Sequence, residues 1–440
     1  MTALLLFVIP LAGFAAGKCA IPGDAVESPL ETQADTGENI VYPAPEIQYP
    51  RSCNDSLTVY ITGAADGKPL VRRGTAFFSR ASGAYEYTQG ALVYRGIDYA
   101  RSELNLASPS GGIVIEGQRT NLLTYSQQLD VWGTRVRLTS ITPNAATFLG
   151  LGGVAEAIAP NTETGAHKVT HNAGIQTELR LGVSVYAKYL NRQWMILEGT
   201  EGGVEFIGSF HDLVNCAAGS TVGGVVDSYA ELWGGWCYVA HVQDHTGIGS
   251  IFHGVGTAIS DGNTSYAGSG ADEIYAVGAQ VEKGFPSTYI ATTSSEVTRA
   301  ADNLYFEVEG ILETEGSFEA AVSPNWDCSW LVDGDLHVVF SAADLLLAYE
   351  KTGGECRWRL SDGSTDITYN HDLIRGTAHK VRVSWGPLLQ LQADDYPVQS
   401  AEGAELSFDG YAYIGSDEGA NGWFGVVDEI KVFGKFRSLQ

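Results

Sequence analysis

The feature that most constrains this chain is a two-residue repeat of apolar side chains in short bursts. Val183, Val185 and Ala187 alternate with Ser184, Tyr186 and Lys188, and the same period returns at Phe318, Ala320 and Val322 and at Val381, Val383 and Trp385. Period two sends alternate side chains to opposite faces of a strand, so each burst has one face to bury against another layer. Trp194–Leu197, Val204–Ile207, Trp236–Val242 and Ile274–Val281 read as further strands, separated by glycine-rich turns at 199–203, 219–224 and 234–235. With 53 glycines, only two methionines and no helical period, the chain reads as all-β, built of short strands and tight turns. The expected architecture is a jelly-roll sandwich followed by a second sandwich.

Length and charge narrow the function. A chain of 440 residues with 44% hydrophobic and 18% charged content can bury two or three ordinary cores. A net charge of −26 argues against nucleic acid, whose phosphates would repel it, and favours solubility. There is no HExxH, GxSxG or P-loop, no GxGxxG after a strand, and no close histidine pair with a carboxylate partner. Glu307 and Glu309 alternate but read as a solvated strand face rather than a glycosidase acid pair. These absences make a non-enzymatic protein the expectation, with no cofactor apart from a candidate structural calcium.

The first 56 residues differ from the rest. Thr2 to Ala16 is almost wholly apolar, too short for a comfortable membrane span and interrupted by Pro10. No Lys or Arg precedes it, so residues 1–16 are expected to dock into a partner protein; a secretory signal ending at Ala15-Ala16-Gly17 is the alternative. Residues 21–53 are polar and proline-rich and read as an extended arm. The expected divisions are 1–56 for the apolar segment and arm, 57–125 for a strand-rich adaptor, 126–298 for the jelly roll and 299–440 for the second sandwich, joined near 294–302.

Two groups of motifs carry a resemblance. The first is Phe78-Ser79-Arg80-Ala81-Ser82, Ala100-Arg101 and the run from Gly112 through Glu116, Arg119 and Asn121 to Ser126. The second is Gly278-Ala279-Gln280, Glu282, Gly284, Pro286 to Ile290, Thr293 and Thr298-Arg299-Ala300-Ala301-Asp302. Together they resemble a module of structural proteins from tailed bacteriophages, of the tail-fibre and head-spike kind. Farther on, His379 to Trp385 and Phe424 to Phe433 resemble the laminin-G/concanavalin-like domain, although its usual Asp-Gly after the hairpin is here Asp394-Asp395-Tyr396. The resemblance implies a virion protein on the particle surface, in tail or head, that displays its sandwiches for host-surface glycan attachment. It implies other virion proteins as partners of the N-terminal segment, a homo-oligomer and no nucleic acid. A purely structural virion module and a secreted polysaccharide-binding or polysaccharide-degrading protein are the alternatives.

Candidate site residues follow from residue chemistry. Trp326, Trp330 and Trp423 lie near turns and offer aromatic faces on which sugar rings stack. Asp261, Asn263, Ser265 and Asp272 fall at calcium-loop spacing, but Tyr266 stands where an EF-hand needs glycine, so a polar hairpin loop is the ordinary reading. Asp428 shares a strand face with Ile430 and Val432 and, if buried, must be paired or metal-bound. Arg119 reads as scaffold, pairing Glu116 or capping turn carbonyls. The cysteines fall as local pairs, Cys19 with Cys53, Cys216 with Cys237 and Cys328 with Cys356, which suggests disulfides; buried thiols are the alternative.

Overall fold

The computed structural model describes residues 40–43 and 57–439 with short breaks, the longest at 149–154. The apolar start, its docking or signal role, and the Cys19–Cys53 pair lie outside the described residues. Among the described residues the chain is strand, turn and loop, with two short 3-10 turns at Leu129–Val131 and Cys328–Trp330. The all-β fold class is therefore the one observed.

Eight strands form the first sandwich: β1 (Ala155–Pro160), β2 (His167–Ile175), β3 (Arg180–Tyr189), β4 (Trp194–Glu201), β5 (Gly208–Asp212), β6 (Trp236–Asp244), β7 (Ser250–Ala258) and β8 (Ile274–Lys283). One sheet runs β1-β8-β3-β6 and the other β2-β7-β4-β5. First and last strands are neighbours, and the chain alternates between sheets except at the β4–β5 hairpin, which is jelly-roll topology. The hairpin of Ala217–Val222 and Val225–Trp233 extends both sheets at one side, and Thr134–Val136 and Leu138–Ala146 extend them at the other. The period-two face of β3 is buried as expected: Val183, Val185 and Ala187 pack against Met195, Leu197, Val169 and Val255 of the facing sheet. Gly234 and Gly235 take φ of 54° and 82°, the left-handed turn that glycine permits. Two local expectations differ. The strand expected at 204–207 falls partly outside the described residues, and its described part, Phe206 and Ile207, precedes the strand Gly208–Asp212. Gly199 is not a turn residue but lies inside β4, where a Cβ would sit 2.0 Å from Gln243 Oε1 of the opposite sheet.

The second sandwich has an eight-stranded and a nine-stranded sheet. Phe318, Ala320, Val322, Val381, Val383 and Trp385 line one inner face; Leu304, Phe306, Phe340, Leu347, Trp358 and Ile414 line the other. Phe318 and Phe340 stack across the core at 4.5 Å.

The expected boundaries need one correction. Residues 57–125 are not a separate adaptor, because most of their strands complete the second sandwich, while Ala84–Thr88 and Ala91–Arg95 form a hairpin of their own. Leu57–Gly63 and Ser108–Ile115 both pair with Gly425–Phe433, and Thr75–Ser79 pairs with Asn303–Glu307. Ile40–Pro43 of the arm adds an edge strand beside Thr75–Ser79. The jelly roll is thus inserted into a sandwich built from both ends of the described chain. The outgoing and returning segments pair with each other, Arg119–Asn121 against Val297–Arg299, so the neck is a two-stranded ribbon.

Cys216 is bonded to Cys237 and Cys328 to Cys356. Each closes a loop inside one sandwich, and a loop of this length is worth about 3 kcal/mol in the chain-entropy account. Non-reducing peptide maps are expected to recover both pairs as linked peptides, and reduction to lower the unfolding midpoint. Free thiols at all four positions would refute the assignment.

Candidate functional site

The motif residues converge on the neck, where they build a buried ionic network. Arg80 reaches Asp302 Oδ1 at 2.9 Å, and Arg101 reaches Asp302 Oδ2 at 2.5 Å and Glu116 Oε2 at 2.8 Å. Arg299 binds the same Glu116 oxygen at 2.7 Å. The Thr288 hydroxyl donates to Glu116 Oε2 at 2.6 Å and accepts from Arg101 and Arg299. Every charged side chain here is at most 1% exposed. Burial alone would raise the Glu116 carboxyl, but Arg299 and Arg101 outweigh it and hold it at about 2. Asn121 adds amide contacts to the Ala279 and Ile290 carbonyls. Glu116 is therefore committed to Arg101 and Arg299, not to Arg119 as expected.

Arg119 instead faces a cleft of about 560 Å³ between the sandwiches, whose walls include Lys283, Phe285, Asp335, His337, Asn421 and Phe424. Its guanidinium lies 3.9 Å from the centre of the Phe424 ring and 4.9 Å from that of Phe285. No carboxylate lies within ion-pair distance of it among the described residues, and its buried Nε has no hydrogen-bond partner. Cation–π contact orients the group without neutralising it. His337 Nδ1 is 3.0 Å from the Gly422 carbonyl, which can only accept, so Nδ1 carries the proton. Nε2 is left as a buried acceptor without a partner. Burial pushes this imidazole down to about 4, so it stays neutral at pH 7.

The loop closing the cleft holds Glu418, Asn421 and Phe424 at φ of 48°, 48° and 57°. Left-handed backbone at non-glycine residues is sustained only by surrounding contacts and concentrates at functional positions. One such contact is a close backbone crossing: a Cβ on Gly422 would lie 2.5 Å from the Gly117 nitrogen.

The tryptophan expectation is corrected. Trp326, Trp330 and Trp423 are at most 1% exposed and offer no face to a sugar. Trp423 stacks on Trp358 at 5.9 Å, and Trp326 on His337 at 4.7 Å. Trp330 stacks on Tyr229 of the jelly roll at 5.4 Å and donates to Asp227 at 2.9 Å, so it locks the two sandwiches together. Their turns face the junction rather than solvent. The outward aromatic surface is elsewhere. Ala412 and Ile414 point inward, which leaves Tyr411 and Tyr413 on the outer face beside Tyr305, and Tyr411 is 43% exposed.

The calcium-spaced loop is a hydrogen-bonded polar turn. Asp261 Oδ1 accepts from the Ser220 amide and hydroxyl, and Asn263 Oδ1 from the Ser265 amide. Asp272 uses its carbonyl to hold Asn191, and neither Asp261 nor Asp272 belongs to a group of three His, Cys, Asp or Glu side chains among the described residues. Asp428 pairs in register with Ala321, and its side chain lies outside the described residues. Glu307 and Glu309 are exposed.

No family model and no curated protein matches the chain. Among solved structures, domains LG4-5 of the mouse laminin α1 chain cover 74% of this chain and 93% of their own at 11% identity and a TM-score of 0.21. The LG1-3 region of the laminin α2 chain covers 89% of this chain and 94% of its own at 10% identity and a TM-score of 0.19. At such scores no property of the laminins is carried over.

Proposed function

We propose that this chain is a non-enzymatic surface protein of a tailed-phage particle, a fibre, spike or decoration protein, that binds a host-surface glycan carrying an acidic group in the cleft between its sandwiches. The observation that carries the glycan reading is Arg119, whose guanidinium lies 3.9 Å from the Phe424 ring centre at the cleft wall with no carboxylate within ion-pair distance among the described residues. The phage reading rests on the sequence resemblance, whose motif residues also supply the neck network. The neutral His337 acceptor and the Asn421 amide suit sugar hydroxyls, and the tyrosines at 305, 411 and 413 offer a second, stacking surface.

The test is a glycan array probed with the full chain, followed by particle adsorption. Retention on uronic or sialylated glycans is expected to fall about 10- to 100-fold in Arg119→Gln, the worth of one or two charge-assisted hydrogen bonds. Loss in Tyr411→Ala but not in Arg119→Gln would move the site to the tyrosine surface. A chain that binds no glycan yet is needed for particle assembly would leave the structural-module reading. Shortening of host polysaccharide by the purified chain would replace both with an enzyme.

A further inference from the structure

Two histidines and an aspartate, separate in sequence, meet at one end of the second sandwich. His371 follows the strand Asp366–Asn370, His379 opens the strand His379–Trp385, and Asp394 follows the strand Leu388–Ala393. Asp394 Oδ2 lies 2.9 Å from His379 Nδ1 and 3.4 Å from His371 Nε2. One donor atom from each of the three residues lies within 4.8 Å of the others. The longer separation is poor for a hydrogen bond, and His371 Nε2 is buried without a hydrogen-bond partner. It suits a shared ion better. Tetrahedral zinc with bonds near 2.0–2.1 Å sets its ligand atoms roughly 3.3–3.5 Å apart.

The three side chains are positioned by backbone, not only by one another. Asp394 Oδ1 accepts the Lys380 amide at 2.8 Å, which turns Oδ2 toward the histidines. The Asp394 amide donates to the Lys380 carbonyl at 2.7 Å, and the residue is held at φ 50°. A left-handed aspartate clamped by two backbone contacts is the kind of local strain found where a side chain must be aimed. The His371 amide donates to the Cys356 carbonyl at 3.2 Å, and its own carbonyl accepts the Tyr349 hydroxyl at 2.5 Å. Such outer contacts orient ligands in metal sites. The Tyr396 ring packs 5.0 Å from His371, while the His371 and Asp394 side chains keep 13% and 30% exposure, which leaves one side open to water.

The geometry points to a divalent transition-metal site on His371, His379 and Asp394, with solvent in the fourth position. Two imidazole nitrogens and one carboxylate favour zinc over calcium or magnesium, which take all-oxygen shells. Neither the oxygen-rich loop at 261–272 nor the glycan cleft contributes to it, so this site and the proposed function stand or fall separately.

The test uses the untagged, disulfide-intact full chain, stripped with chelator and dialysed against zinc chloride. A single zinc per chain is expected, together with a raised thermal midpoint that chelator reverses. His371→Ala is the informative variant, because His371 makes no good hydrogen bond to Asp394 and its loss leaves the Asp394–Lys380 clamp in place. Its zinc affinity is expected to fall at least about tenfold, with the zinc-dependent thermal shift abolished. Should that variant fold poorly, cobalt replaces zinc in the wild-type chain, and the intense visible bands of four-coordinate cobalt are the expected readout. Wild-type chain that takes up no more zinc than His371→Ala, or that shows no such cobalt bands, would overturn the proposal and leave a hydrogen-bonded His–Asp cluster.

Discussion

Glu116→Gln is expected to lose about 3–5 kcal/mol of folding stability at pH 7, the usual loss when one partner of a buried ion pair is removed. The reason is charge balance. Arg101 and Arg299 both bind Glu116 directly, and the substitution leaves these two buried cations without that carboxylate. The pH profile separates a charge effect from a packing effect. The Glu116 carboxyl is at about 2 in the fold against an ordinary 4.5, so its contribution is complete above pH 4.5 and is lost as pH falls from there toward 2. A shift of that size corresponds to about 3 kcal/mol. Denaturant unfolding of wild type and variant should therefore differ most at neutral pH and converge as pH falls toward about 2. A gap that stays constant with pH would show that the hydrogen bonds matter and the charge does not.

Trp423→Ala is expected to cost a similar 3–5 kcal/mol, the range for truncating a large buried aromatic. Trp423 is fully buried, lies parallel to Trp358, meets Trp326 edge-on at 5.5 Å, and its carbonyl accepts the Trp326 indole N–H at 3.0 Å. Glycan retention per folded molecule is expected to stay at the wild-type level, because no face of this ring reaches solvent. A variant of unchanged stability that lost glycan retention would return Trp423 to a binding surface. Trp330→Ala differs in kind: it removes the Tyr229 stack and the Asp227 hydrogen bond, and so loosens the junction rather than one core.

The junction is where the proposed binding cleft and the buried ionic network meet. Glu116 and Arg119 stand three positions apart on one segment, yet Glu116 serves the buried network and Arg119 the cleft. The left-handed Phe424 holds Arg119 on its ring from the other sandwich. A glycan seated there would touch both sandwiches, so the ribbon at Arg119–Asn121 and Val297–Arg299 also sets the width of the site.

Local sequence determined much of this protein. Alternation placed β3, the Gly316–Pro324 strand and the His379–Trp385 strand and named a buried face of each, because period two is a property of the strand itself, although Ser184 and Tyr186 on the other face of β3 are buried too. The paired glycines at 234 and 235 marked a turn because only glycine takes that backbone cheaply. What period two cannot carry is the identity of the partner strand. The pairings of Leu57–Gly63 and Ser108–Ile115 with Gly425–Phe433, and of Thr75–Ser79 with Asn303–Glu307, join distant segments and turned an apparent adaptor into part of the second sandwich. Trp326, Trp330 and Trp423 look the same in sequence whether their turns face water or a neighbouring sandwich. Arg119 lost its expected partner because Arg101 and, from far along the chain, Arg299 take up Glu116. His371, His379 and Asp394 show no motif spacing, since His371 comes from one sheet and the other two from neighbouring strands of the facing sheet, and such a meeting exists only once the sheets have formed and packed.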